Sequence, residues 1–184
     1  MKKLAHRKKR TEMSIEKLRA LQDPFKARYR DLPSTAMVTL TADGTLGDGV
    51  TCYVKAGKTT VEAGLHPAVG GSGQHACAAE MMLEALVACA GVTLTAVATY
   101  LGIPINAGTV KAEGELDLRG TLGVSNDVPV GFQRMKLSFD LDTIATAEQL
   151  KTLLGLTEQY CVVGKTLANP PTLSISKMNS KEMS

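Results

Sequence analysis

Ala85 to Ile103 runs for 19 residues without an acid or a base, inside the longest uncharged stretch of the chain. By length alone such a segment could cross a bilayer. Its composition argues otherwise: it is rich in Ala, Gly and Thr, poor in large aliphatics, and its flanks carry no basic or aromatic anchors. A helix apolar on all sides also forms the centre of a soluble core or of a subunit interface. Small residues along it let a second helix approach closely. The segment therefore predicts a central helix, packed against its counterpart in an obligate dimer, and not a membrane span.

The rest of the core must be aliphatic. Hydrophobic residues make up 44% of the chain, aromatics only 4%, and there is no tryptophan. Binding of bases or sugars on stacked rings is disfavoured by that composition. The net charge of +3 is unevenly placed. Met1 to Arg10 holds six of the 21 basic residues and no acid, which leaves 15 basic against 18 acidic residues in the remainder. The basic run reads as a solvated, disordered end rather than a nucleic-acid arm. Thr11 to Arg30 is polar and amphipathic, so the start is not an export signal. A cytoplasmic location follows as the default, with the four cysteines kept as thiols and any disulfide transient.

Periodicity orders the elements. Ser14 to Arg28 reads as a helix capped by Ser14, with Ile15, Leu18 and Leu21 on one stripe and an end or kink near Asp23, before Pro24. Thr35–Thr41, Val50–Lys55 and Thr59–Ala63 read as strands, the last two a hairpin around Gly57-Lys58. Gly64 to Gly73 is a loop, and Ala76 to Tyr100 the long helix. Thr109–Arg119 and Phe132–Leu141 read as strands, the second alternating Arg134, Lys136, Ser138 and Asp140 with Met135, Leu137, Phe139 and Leu141. Thr146 to Tyr160 is a helix capped by Thr146, a short helix follows from Cys161 to Ala168, and Leu173–Lys177 is a final strand. Strands, long helix, strands, helices and strand make an α+β fold with antiparallel sheet. The chain divides into a basic end (1–13), an N-terminal helix (14–30) and one main domain (31–184).

Two cysteines stand out. Cys89 lies in the middle of the long helix, where a cysteine is ordinarily a small core residue. Cys161 lies at a helix-to-helix junction, where the N-terminus of the following helix would favour a thiolate. A mid-helix thiol has no such help and needs a donor or cation from elsewhere.

Glu80-Met81-Met82-Leu83-Glu84-Ala85-Leu86-Val87-Ala88-Cys89-Ala90-Gly91 resembles the central-helix signature of the OsmC/Ohr family. Glu158-Gln159-Tyr160-Cys161-Val162-Val163-Gly164-Lys165-Thr166-Leu167 resembles its second cysteine segment, 72 residues further on. The resemblance spans about residues 35 to 177. It implies an OsmC-like main domain in an intertwined homodimer, with antiparallel sheets wrapped around long central helices. It also implies a thiol peroxidase for organic hydroperoxides, with Cys89 peroxidatic, Cys161 resolving and a dithiol, such as a lipoyl-bearing one, as reductant. The family's catalytic carboxylate falls on Ala79 here; Glu80 is the adjacent acid, about 100° away around the helix. For the family's activating arginine the nearest candidates are Arg28 and Arg30, and Arg30 is the one assigned. Met81 and Met82 are expected to line an alkyl-binding pocket.

No cofactor or metal is expected. His66, His75, Cys77 and Cys52 match no common zinc spacing and read as loop, cap or structural residues. Gly70-Gly71-Ser72-Gly73 lacks the Lys-Ser/Thr ending of a phosphate loop and reads as a hinge near the mouth of the site. The alternative to a peroxidase is an OsmC-like dimer that binds a small apolar ligand without turning over peroxide.

Overall fold

The structure is a computed structural model, and it describes residues 13–177. The basic run at the N-terminus lies outside the described residues.

Helix α1 (Ile15–Asp31) starts where the Ser14 hydroxyl accepts from the Lys17 amide at 3.3 Å. It passes through Pro24, so of the end or kink expected near Asp23 the end is not realised. A proline costs a helix one hydrogen bond, and docking can offset this. Here Leu18 is buried, and the Tyr100 hydroxyl, accepting from Lys26 Nζ at 2.6 Å, donates to Gln22 Oε1 at 2.7 Å.

Four short strands follow: β1 (Gly44–Leu46), β2 (Cys52–Ala56), β3 (Thr59–Gly64) and β4 (Ala76–Cys77). They form one sheet in that order, antiparallel except for the parallel β3–β4 pair. The hairpin at Gly57-Lys58 is as expected. The strand expected at Thr35–Thr41 is not formed; Pro33–Ala36 makes a 3-10 turn and the chain then runs irregularly to β1. The strand expected at Leu173–Lys177 is likewise irregular chain. Both segments have strand-like sequences, but a strand exists only when a neighbour completes its ladder. Within one copy neither finds one among the described residues, and Leu40 and Ile175 are left 90% and 92% exposed.

Helix α2 (Ala78–Leu101) is the spine. Gly102, at φ +64, ends it in a left-handed turn that a β-carbon would strain. Helix α2 is long and apolar enough to meet a membrane-span criterion, but it packs against α1, a second sheet and two further helices. That sheet is β5 (Ala107–Leu116) against β6 (Phe132–Asp142), antiparallel with an irregularity at Glu115/Leu116. Its alternation is as expected: Met135, Leu137, Phe139 and Leu141 turn inward, while Lys136 and Asp140 face out. The strand expected to reach Arg119 ends at Leu116, and the connection begins with a four-residue helix, α3 (Leu118–Thr121). Gly114 permits a close approach here, because a β-carbon would lie 2.4 Å from the Phe132 ring.

Helix α4 (Ala147–Tyr160) opens with a full capping box, Thr146 and Gln149 each bonding the other's backbone amide. It is followed directly by α5 (Val162–Ala168). Two core clusters result. Leu94, Val97, Ala98, Ile103 and Leu153 join α2 to α4. Leu86, Ala90 and Cys161 join α2 to the α4–α5 junction, with Cys89, Val110, Met135 and Leu137 packed around them.

Candidate functional site

The second cluster brings the two cysteines together across 72 residues of sequence. Helix α2 presents Cys89 half-buried, one residue before the fully buried Ala90. The break between α4 and α5 presents Cys161, buried at 2% exposure. Both are free thiols.

The backbone around Cys161 is the main source of hydrogen bonds. Cys161 is the N-cap of α5, and its sulfur accepts from the Gly164 amide at 3.4 Å. The amides of Val163 and Val162, which an α5 of this length cannot satisfy internally, serve the neighbouring sulfur of Cys89. Burial pushes the Cys89 thiol up, but the Val163 amide, the Cys161 thiol, the Val162 amide and the Thr93 hydroxyl all favour the thiolate, and the net direction is down. Cys161 moves the other way: burial pushes it up, the Gly164 amide opposes this, and the neighbouring Cys89 adds to the rise. The expectation that the helix junction activates Cys161 is thus corrected. The amides at the α5 N-terminus instead favour the thiolate of Cys89.

A cavity of about 610 Å³ opens on the Cys161 side of the pair. Leu86, Phe132, Met135, Leu154 and Leu167 give it apolar walls, and Cys161 and Thr157 form part of its lining. Cys89 does not line it, nor do Met81 and Met82, on which a pocket was expected.

Glu80 and Arg30 are not brought to the thiols within one copy. Glu80 is exposed in the first turn of α2, nine residues or about 13 Å along the axis from Cys89. Arg30 is exposed in the last turn of α1 and is not among the groups acting on Cys89. Ala79 is half-buried. The donors that sequence reading missed are Thr93 and the Val162 and Val163 amides. Thr93 carried a signal in its i+4 spacing from Cys89 on a helix; backbone amides carry none.

Among the described residues no three His, Cys, Asp or Glu side chains gather to hold a metal ion. His66 caps a short 3-10 turn, accepting from the Ala68 amide at 3.1 Å, and His75 faces Glu62 at 3.6 Å. Cys52 lies in β2 and Cys77 at the N-cap of α2.

The OsmC-like protein family matches residues 71–176, a span that contains both cysteines. The chain belongs to that family. Its fold is shared with an OsmC-like protein from Mycoplasma pneumoniae, at 14% identity and a TM-score of 0.62, over 72% of this chain and 89% of that one. An organic hydroperoxide resistance protein from Elizabethkingia anophelis, with thiocyanate bound, superposes at 22% identity and a TM-score of 0.57, over 72% and 93% of the two chains. An organic hydroperoxide resistance protein OsmC from Legionella pneumophila gives 15%, 0.53, 72% and 91%. No curated protein matches the sequence.

Proposed function

We propose that the protein is a thiol peroxidase that reduces hydrophobic organic hydroperoxides through the Cys89–Cys161 couple. The observation that carries this reading is the pair of free thiols packed in one core cluster at the start of α5, with Cys89 shifted toward the thiolate and Cys161 away from it. The Cys89 thiolate attacks the terminal peroxide oxygen. The O–O bond breaks, the alkoxide leaves and takes a proton as an alcohol, and Cys89 becomes a sulfenic acid. Cys161 then attacks the sulfenic sulfur, forming the disulfide and releasing water. A dithiol returns both thiols, which suits a cytoplasmic, reducing location.

We further infer an intertwined homodimer. Ala85, Ala88, Val92 and Thr95 leave one face of α2 exposed, and the strand-like segments around Leu40 and Ile175 lack a ladder partner within one copy. A second copy would cover both. In such a dimer Glu80 and Arg30 take the supporting carboxylate and guanidinium roles that the resemblance implies. A monomeric mass in sedimentation at micromolar concentration would refute the dimer.

The test of the activity is mass spectrometry after one equivalent of cumene hydroperoxide. A Cys89–Cys161 disulfide should form within seconds, and Cys89→Ser should abolish turnover. Unchanged thiols would sink the peroxidase and leave the cavity beside Cys161 as support for the second reading, an apolar ligand-binding dimer.

A further inference from the structure

Helix α1 carries an apolar and basic surface that neither the family match nor the thiol pair uses. It docks through one side only: Leu18 is buried, and Gln22 and Lys26 reach the Tyr100 hydroxyl. A neighbouring arc faces outward. At about 100° per residue, Lys17, Leu21, Phe25, Arg28 and the C-cap Leu32 fall within about 80° of the circumference. Leu21, Phe25 and Leu32 are each more than half exposed. Lys17 and Arg28 are exposed too, and among the described residues neither is paired with a carboxylate. Glu16 and Asp23 project from the far side of the helix.

The charge of the chain is concentrated in the same segment. Residues 1–31 carry 11 basic and four acidic residues, whereas residues 32–184 carry 10 and 14. A partner must therefore be anionic to meet the charge, and must have an apolar interior to cover Leu21, Phe25 and Leu32. Nucleic acid meets the first demand only. Its phosphates would pair with Lys17 and Arg28 but leave the leucines in water, and the Arg28 guanidinium already lies over the Phe25 ring, 5.4 Å from its centroid. A second copy meets the second demand only, because two such arcs face to face set cation against cation. An anionic bilayer meets both. An interfacial helix sinks its apolar side about 5–10 Å into the headgroup boundary, and its cations stay among the phosphates.

We propose that α1 is a peripheral membrane anchor, which lays the arc from Lys17 to Leu32 on an anionic phospholipid surface while its Leu18 side stays docked on the main domain. The contact is superficial; α2 remains a core helix and crosses nothing. The dimer inferred above uses the α2 face from Ala85 to Thr95 and the segments around Leu40 and Ile175, none of which lies on α1. The anchor is also independent of the chemistry at the two thiols.

The test is flotation of the full-length protein with vesicles of phosphatidylcholine, with and without phosphatidylglycerol. Partitioning should be about tenfold stronger or more on the anionic vesicles. Leu21→Gln/Phe25→Gln changes two exposed positions, so thermal unfolding should be unchanged while that partitioning falls about tenfold. The chain has no tryptophan, so Phe25→Trp introduces a single reporter. Its emission should shift to the blue on anionic vesicles and be quenched by lipids brominated along their acyl chains. Equal partitioning on the two kinds of vesicle overturns the proposal. So does binding that Leu21→Gln/Phe25→Gln leaves intact, with the reporter unquenched, which would make α1 a general polyanion site that duplex DNA competes for. A sedimentation mass without vesicles that falls in Leu21→Gln/Phe25→Gln would assign the arc to a second copy and overturn it equally. None of these readouts involves peroxide, so failure of the peroxidase leaves the anchor untouched.

Discussion

Cys89 packs against Cys161 in one core cluster, and the surroundings leave the two sulfurs unequal: Cys89 is shifted down from the ordinary thiol value and Cys161 up. The inequality comes from where α5 begins. Its first residue, Val162, follows the capping cysteine directly, so the free amides of the first turn surround both sulfurs and divide between them.

The unequal acidity predicts a split in alkylation by iodoacetamide. The thiolate is the reacting form. Cys89 should reach half its plateau rate below the ordinary thiol value of about 8.5, and Cys161 above it. In the folded protein the depressed Cys89 pKa favours the ionised form. Its contribution to stability is therefore present above the unfolded thiol value and lost as pH falls through the folded one. Peptide-resolved mass spectrometry across pH 5 to 10 reads the order, and Cys161 titrating first would contradict it.

Thr93 tests whether side-chain help matters beyond the backbone. Thr93→Val keeps the shape and removes the hydroxyl that serves Cys89. A net hydrogen bond of ~0.5–1.5 kcal/mol corresponds to about a two- to tenfold change. Peroxide reaction at pH 7 should slow by that factor, and the half-plateau pH of Cys89 should rise. Thr93→Ser should restore both. A slower rate with no change in the pH profile would mean a packing role only.

The sequence was legible wherever a pattern is local. The uncharged Ala85–Ile103 run, the alternation along Phe132–Leu141 and the Thr146 cap each found their element. The cysteine pair was legible through its flanking motifs. What misled were segments whose partners are distant or absent within one copy: Thr35–Thr41 and Leu173–Lys177 are β-prone but unpaired. Pro24 failed as a stop because tertiary contacts through Leu18 and Tyr100 hold α1 together on both sides of it. The activation of Cys89 was misassigned because the donors are amides, and an amide is present at every residue but proline.

The junction of α2 and α4 should be the most sensitive part of the core. Leu153 is fully buried there. Leu153→Ala should cost about 2–5 kcal/mol, from lost burial and the cavity left behind. Thr157, one turn on, is also buried, but its hydroxyl donates at 2.8 Å to the Leu153 carbonyl of the same helix. Thr157→Val removes a donor without stranding that carbonyl's helical bond, so its cost should stay near ~1 kcal/mol. Thermal or urea unfolding of the two variants should rank them in that order; equal losses would mean that the Thr157 hydroxyl has a further role.

Helix α1 lies outside the family match, and its attachment can be weakened separately. Tyr100 near the end of α2 joins Lys26 and Gln22 through one hydroxyl. Tyr100→Phe removes both hydrogen bonds but keeps a ring beneath Lys26 Nζ, now 4.6 Å from its centroid. Leu18→Ala removes the buried anchor instead. Local opening costs less free energy than global unfolding, so a loss confined to the docking contacts should appear in α1 alone. Amide hydrogen exchange over residues 15–31 should accelerate by about tenfold in Tyr100→Phe, and more in Leu18→Ala. Protection across Leu86–Ala98 should stay unchanged in both variants. If protection fell equally in α2, the helix would be an integral part of the core and not a docked addition to it.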